Sequence, residues 1–172
     1  MHRELLLLGV LRQGNMHGYG INEFIQRDMA FCTDLKKPTA YHLLQKMAAA
    51  GWIQERETQE GNRPPRRIYT ITSEGEAAFQ RLLRENLSAH MSTRFDGDIA
   101  LAFIDDLPAE EALGRLHERH TVLKAEQAAL THIRGHTGGG LQLILEHQKR
   151  FLAFELSWLD EVISRLSGQI QE

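Results

Sequence analysis

Hydrophobic residues recur three and four positions apart in three short segments at the start of the chain, a spacing that predicts three amphipathic helices. These helices are expected at about residues 3–12, between residues 20 and 28, and from Pro38 to about residue 50. The apolar positions are Leu5, Leu8 and Leu11, then Ile21, Phe24, Ile25 and Met29, then Leu43, Leu44 and Met47. Each helix therefore has one face to bury against the others.

Two strand-like segments and a fourth helix follow. Residues 52–57 and 67–72 are the predicted strands, and the Gly-, Asn- and Pro-containing segment 59–66 joins them as a hairpin with a long basic tip. Ser73 and Glu76 have the spacing of a capping box, which places the start of the next helix there. Three helices, a hairpin and a helix are the element order of a winged helix-turn-helix.

The second half of the chain predicts long helices. A short helix is expected within residues 99–104, a long one from Pro108 to about residue 136, and another from Leu141 to about residue 166 after a break at residues 138–140. The first long helix has a heptad-like seam at Leu113, Leu116, His120, Leu123, Gln127 and Leu130. The last has a broad face at Ile144, Leu145, Gln148, Phe151, Leu152, Glu155, Trp158, Leu159, Val162 and Leu166.

This pattern divides the chain into two predicted domains of a mainly α protein: a winged helix-turn-helix domain at residues 1–88 and a helical domain at residues 89–172. The broad apolar face of the last helix needs more cover than one neighbouring helix supplies. A second subunit can supply it, so we expect a homodimer that pairs through the C-terminal helices.

Charge changes sign between the two halves. Up to Glu85 there are 12 Lys and Arg against 10 Asp and Glu, a net +2, whereas the remainder has 8 against 13, a net −5, which together give the −3 of the chain. Attraction to phosphate depends on where the positive charge lies, so DNA binding by the first half is compatible with an acidic whole. We expect a cytoplasmic protein with no disulfide, because Cys32 is the only cysteine and no apolar run is long enough to span a membrane.

The third helix and the hairpin tip carry the candidate DNA contacts. In winged helix-turn-helix proteins the N-terminal part of the third helix faces base edges in the major groove. Its candidate residues are Lys36, Lys37, Thr39, Tyr41, His42, Gln45 and Lys46. Around two prolines in the tip, Arg63, Arg66 and Arg67 place three guanidinium groups that suit phosphate or a minor groove.

Four segments occur in an order that resembles the PadR family of repressors. They are Met-His-Gly-Tyr-Gly-Ile at 16–21, Thr-Ala-Tyr at 39–41, Gly-Trp-Ile at 51–53, and Gly-Asn-Arg-Pro-Pro-Arg-Arg-Ile-Tyr-Thr-Ile-Thr-Ser-Glu-Gly at 61–75. The resemblance covers about residues 3–85, and the long C-terminal helices match the larger subfamily in layout. It implies that Thr39 and Tyr41 are recognition-helix contacts, that the three arginines are wing contacts, and that a small molecule releases the repressor. Many members have Ser-Pro-Gly-Thr-Leu-Tyr where this chain has Lys-Lys-Pro-Thr-Ala-Tyr at 36–41, so the operator sequence does not transfer.

Other residues leave alternatives open. Phe151, Phe154 and Trp158 could line an aromatic effector pocket or form the dimer core. His17 and Tyr19 are interpreted as turn and packing residues. His132 and His136 share a helix face but have no third ligand at metal spacing, and Cys32 shows no activating group.

The sequence therefore predicts a DNA-binding transcriptional regulator, a repressor that a small molecule releases from a pseudo-palindromic operator. The sequence shows no nucleophile accompanied by a general base and no loop typical of phosphate binding, so we expect neither an enzyme nor a bound cofactor. The alternative is a winged-helix module that binds a protein rather than specific DNA.

Overall fold

The computed structural model describes residues 2–14, 16–28, 33–59, 66–90, 92, 95, 97–131 and 139–170. The elements are α1 (His2–Leu11), β1 (Met16–His17), α2 (Gly18–Asp28), α3 (Lys37–Ala49), β2 (Ile53–Thr58), β3 (Arg66–Ile71), α4 (Ser73–Ser88), α5 (Gly97–Leu101), a 3₁₀ turn (Ile104–Asp106), α6 (Ala109–Thr131) and α7 (Gly139–Ile170). The predicted fold class, a mainly α protein with a winged helix-turn-helix and long C-terminal helices, is confirmed. Residues form two compact units, Met1–Ser92 and Thr93–Glu172.

The core of the first unit combines all three N-terminal helices, the sheet and α4. The predicted apolar faces supply it: Leu8, Ile25 and Leu44 are almost completely buried. Tyr69 of β3 is also fully buried and lies between its register partners, Met16 on β1 and Glu55 on β2. The sheet has the order β1-β3-β2 and is antiparallel, so the wing hairpin extends from a strand that is anchored on both sides.

A tight junction links the end of α3, the start of β2 and the start of α4. Gly51 follows the C-cap of α3 with a φ of 75°, and the Trp52 N–H donates to the Met47 carbonyl at 2.9 Å, which together form a Schellman ending. The Thr72 hydroxyl donates to the Gly51 carbonyl at 2.7 Å and accepts from the Gly75 N–H at 3.0 Å. Gly75 is required here because a Cβ on it would lie 1.9 Å from the Trp52 carbonyl oxygen.

This junction corrects one predicted cap. Thr72, not Ser73, is the N-cap of α4, and the Ser73 hydroxyl contacts the Glu74 carboxylate instead. Ser73 has the preferred residue type for a cap, but Thr72 has the extended backbone that a cap requires. Its hydroxyl also reaches Gly51, a contact that adjacent positions in the sequence do not reveal.

The second unit is built mainly from α6 packed on α7. The predicted seam of α6 is confirmed, since Leu116 and Leu130 are buried and the other seam residues are partly buried. One of its two polar positions, His120, lies near a carboxylate of α7, with Nε2 3.0 Å from Asp160 Oδ1. α7 begins at Gly139, whose φ of 72° suits glycine, two residues before the predicted start. The predicted end of α6 near residue 136 lies outside the described residues, and none of the described helices is long and apolar enough to span a membrane.

Candidate nucleic-acid interface

Helix α3 has one buried face and one exposed face. Ala40, Leu44 and Met47 are buried in the core, and Leu43 packs against it as predicted. Pro38 lies in the first turn, where its missing N–H costs no helical hydrogen bond. The residues that point away from the core are Lys36, Lys37, His42, Gln45 and Lys46, all exposed. The core therefore holds the helix while this polar face remains available.

Tyr41 and Thr39 are only partly exposed, and Tyr41 also has a packing contact. A Cβ at Gly18 would lie 2.8 Å from Tyr41 Cε1, so the tyrosine ring lies directly against the first residue of α2. Lys37 Nζ lies 6.0 Å from the centre of the same ring. Gly18 therefore determines where the Tyr41 ring lies. The ring in turn forms one side of the exposed face of α3.

Tyr19, by contrast, is 69% exposed, so its predicted packing role is wrong. The packing residue of the His-Gly-Tyr-Gly segment is Gly18, which is buried. The prediction placed Tyr19 in a tight turn ahead of the helix, but α2 already begins at Gly18, and the close approach to Tyr41 needs a residue without a side chain there.

Lys46 lies near the acidic residue Glu4 of α1. Its Nζ is 4.0 Å from Glu4 Oε1, and the lysine side chain remains 69% exposed. An ion pair this long and this exposed contributes little to stability, so it leaves Lys46 able to turn toward another anion.

The wing places Arg67 beside a carboxylate that the sequence analysis did not select. Arg67 Nε lies 3.1 Å from Glu55 Oε1, across the β2–β3 pair. Only the strand register reveals this contact, because Glu55 lies directly opposite Tyr69 and diagonal to Arg67. Arg66 begins β3, but its side chain, and the whole of Arg63, lie outside the described residues.

Tyr69 connects this ion pair to the core. Burial of the phenol raises its pKa, and the neighbouring Glu55 carboxylate raises it further. The Arg67 guanidinium nearby acts in the opposite direction and lowers the pKa. The hydroxyl is buried, and its hydrogen has no acceptor among the residues that the structure describes. An unsatisfied buried donor beside a carboxylate is uncommon enough in proteins to need an explanation.

The aromatic residues predicted for an effector pocket or dimer core lie on α7. Phe151 is 39% exposed and stacks on Phe95 with 5.7 Å between ring centres, while Phe154 is 64% exposed. Trp158 is partly buried under the Arg119 guanidinium, whose carbon lies 5.8 Å from the ring centre. A surface depression of about 670 Å³ lies farther along α7, and these three aromatic residues are not in its lining, which is Ser157, Asp160, Glu161, Ser164 and Arg165.

The sequence offers His132 and His136 as possible metal ligands and Cys32 as a possible redox-active thiol. Within the described ranges, no group of three or more His, Cys, Asp or Glu side chains is placed to hold a metal ion. His132, His136 and Cys32 lie outside those ranges.

Three comparisons with known proteins agree with this architecture. Residues 7–81 match the profile described as the transcriptional regulator PadR-like family. The negative transcriptional regulator PadR of Bacillus subtilis (strain 168) is 25% identical over 129 residues, which are 75% of this chain and 69% of that protein. Its crystal structure in complex with operator DNA aligns with a TM-score of 0.80 at 21% identity, over 95% of this chain and 98% of that one. A second structure, in complex with p-coumaric acid, gives a TM-score of 0.74 at 19% identity, over 95% and 94% of the two chains. Over residues 7–81, the chain therefore carries a domain of the PadR-like family of transcriptional regulators.

Proposed function

We propose that this protein is a dimeric repressor that binds a pseudo-palindromic DNA operator through residues 1–88 and is released by a small aromatic molecule bound to residues 89–172. The exposed polar face of α3, which the core holds from the opposite side, is the observation that carries the proposal. A helix with its side chains fits the width of a major groove, and the N-terminal turns of such a helix face the bases. The known structure of the B. subtilis relative with operator DNA supports the same use of the fold.

The residues of this face divide into those suited to base recognition and those suited to phosphate binding. Gln45 can pair with adenine through two hydrogen bonds, and His42 can donate to or accept from a base edge. Lys36, Lys37 and Lys46, with Arg67 and the other wing arginines, supply positive charge for phosphate. Thr39 and Tyr41 lie at the edge of the face, where a hydroxyl can reach either target.

Dimerisation is proposed because the helical unit leaves large apolar side chains in water. Leu143 is 68% exposed, Phe154 64% and Val122 58%. A protein surface of this kind is a candidate for burial against another subunit. Two copies would present two recognition helices to half-sites about one helical turn apart.

Repression and release by an effector are proposed from the relative and from the aromatic residues of α7. The relative is a negative regulator, and one of its structures holds p-coumaric acid. Phe151, Phe154 and Trp158 offer ring faces on which a planar apolar molecule can stack. A regulator of this kind would act in the cytoplasm, where its operator is. Calorimetry with p-coumaric acid tests the aromatic residues: Phe154→Ala should weaken binding, and equal affinity in both proteins would remove this residue from the site.

Selection of bound duplexes from a random DNA pool, at two salt concentrations, tests DNA binding. A two-fold symmetric motif with half-sites about one turn apart is the expected result. Salt-sensitive binding without a motif would contradict sequence specificity. No binding at either concentration would favour the protein-interaction module.

Two substitutions distinguish base recognition from phosphate binding on the selected motif. Gln45→Ala should change which base is preferred at one position of each half-site, because it removes a base contact. Arg67→Ala should weaken binding to all sequences and flatten the dependence on salt, because it removes a phosphate contact. Equal effects of both variants on every duplex would contradict the division.

A further inference from the structure

An acidic residue lies within the surface proposed to meet phosphate. Glu55 and Glu57 alternate on β2 with residues of the opposite face, and their register partners on β3 are Tyr69 and Arg67. All four side chains therefore belong to one face of the hairpin. A carboxylate there repels the DNA backbone, so its presence beside a wing arginine is unfavourable for binding unless it has a role.

The two members of the Glu55–Arg67 ion pair are not equally held. The Glu55 side chain is 29% exposed and lies opposite the buried Tyr69, whereas the Arg67 side chain is 54% exposed. The carboxylate is therefore the more covered partner of the two. The guanidinium is the outer partner, on a long side chain that can turn toward solvent or toward another anion.

We propose that Glu55 is an internal competitor of DNA phosphate: it holds Arg67 in the free protein, and a backbone phosphate replaces it when the wing meets DNA. The inference rests on the proposed DNA binding. Because the exchange costs the same ion pair on any duplex, Glu55 lowers affinity for operator and for unrelated DNA alike. It keeps the wing from binding the phosphate backbone wherever it meets one.

The Tyr69 hydroxyl can donate a hydrogen bond to the Glu55 carboxylate once Arg67 has turned away. A carboxylate that loses the one cationic donor described beside it would be left poorly satisfied. The hydrogen of the buried Tyr69 hydroxyl has no acceptor among the described residues, and the register partner of Tyr69 is Glu55. We assign it as the donor that Glu55 takes when Arg67 turns to phosphate, which also explains why an unsatisfied hydroxyl is kept at this position.

The test compares Glu55→Gln with Glu57→Gln. Both variants remove one negative charge from the same strand, so they match in net charge, but only the first removes the carboxylate at 3.1 Å from Arg67. Glu55→Gln should bind both the selected operator and a shuffled duplex about two- to fivefold more tightly, the range expected for an exposed ion pair, while Glu57→Gln changes affinity by less than about 1.5-fold. The salt dependence of Glu55→Gln should also be steeper, because Arg67 then contributes fully to phosphate neutralisation.

Two further backgrounds make the result specific. In Arg67→Ala protein, Glu55→Gln should have no more effect than Glu57→Gln. Tyr69→Phe should weaken DNA binding about two- to threefold in the wild-type background, since the carboxylate then keeps Arg67, and should have no effect in Glu55→Gln protein. Circular dichroism of each variant before the titrations verifies that the wing domain is folded.

Three outcomes would overturn the inference. Weaker binding by Glu55→Gln would mean that the carboxylate orients Arg67 for DNA instead of competing for it. Equal behaviour of the two glutamine variants would mean that only net charge matters. Failure of the wild-type protein to bind any duplex would overturn the proposed function itself, and the wild-type titration distinguishes that case from the other two.

Discussion

The two units of this protein differ in how completely each buries its own apolar surface. In the winged-helix unit the large side chains of all the N-terminal helices meet in one core, and Leu7, Leu8 and Tyr69 have no exposed surface. In the helical unit the described cluster around Leu130, Leu145 and Leu152 is small. Most of the large apolar side chains that remain exposed belong to this second unit, among them Ile99, Phe103, Leu143 and Phe154.

The first unit is therefore specified by its own close contacts, whereas the second leaves apolar surface that the proposed dimer would bury. Two motif glycines of the first unit, Gly18 and Gly75, lie where a single added atom would collide with a neighbour. Gly114, Gly140 and Gly168 of the second unit have open space around them. Substitutions in the core of the first unit should therefore damage folding, and substitutions on the exposed apolar surface of the second should damage the proposed association.

The largest effect is expected for Gly75→Ala. The new methyl would lie 1.9 Å from the Trp52 carbonyl oxygen, which is backbone and cannot turn away. We expect a loss of about 3 kcal/mol or more in the free energy of unfolding, measured by urea denaturation. Gly20→Ala, a helical glycine with nothing within 4 Å, is the control and should be neutral or slightly stabilising. A small effect at both positions would mean that the junction is not tight.

Dimerisation should be the next most sensitive property. Phe154→Glu places a charge on the exposed apolar side of α7, and burying it unpaired in a subunit interface would weaken the dimer by about 2 kcal/mol or more, or about thirtyfold in dissociation constant. Sedimentation equilibrium measures this. Ala153→Glu adds the same charge at the neighbouring exposed position. If both variants dissociate to the same degree, or neither does, Phe154 does not lie in the interface.

A smaller effect, on DNA binding alone, is expected for Gly18→Ala. The added Cβ would push on Tyr41 Cε1 and the Tyr41 hydroxyl, which are the far end of a side chain and can move. The fold should survive, while operator affinity falls about five- to tenfold, or about 1 kcal/mol, because the ring leaves the edge of the recognition face. Gel-shift titration beside a thermal melt distinguishes the two. Unchanged affinity would leave Tyr41 as a packing residue only.

The smallest predicted effect is a dependence of stability on alkaline pH. The pKa of Tyr69 is raised in the folded protein, first by burial and then by Glu55. Well below pH 10 the phenol is neutral in both states, and as pH rises toward the folded-state pKa the unfolded chain ionises there first, so stability falls. Urea midpoints between pH 8.5 and 11 should decrease more steeply in wild type than in Tyr69→Phe. Parallel curves would show that Tyr69 does not contribute.

The helices and the wing strands could be predicted from the sequence because each is long enough to show several repeats of its hydrophobic pattern. The sequence did not predict β1, since two residues show no alternation, although Met16 and His17 pair with Tyr69 and Ile68. The cap at Thr72 and the Glu55–Arg67 pair depend on contacts between distant segments or on strand register. Local pattern thus identified which faces are polar, but not which charges on them are already paired.

Helix α3 has a core side and a solvent side, so residues on the solvent side can be substituted without disturbing the core. His42 and Gln45 are exposed, and no contact of theirs holds the helix to the core. These positions can therefore be randomised together with Lys37 while Ala40, Leu44 and Met47 remain constant. Variants in such a library would share the same core and therefore a similar stability, while differing in the operator that each prefers. New DNA specificities could thus be engineered from this helix without redesigning the rest of the protein.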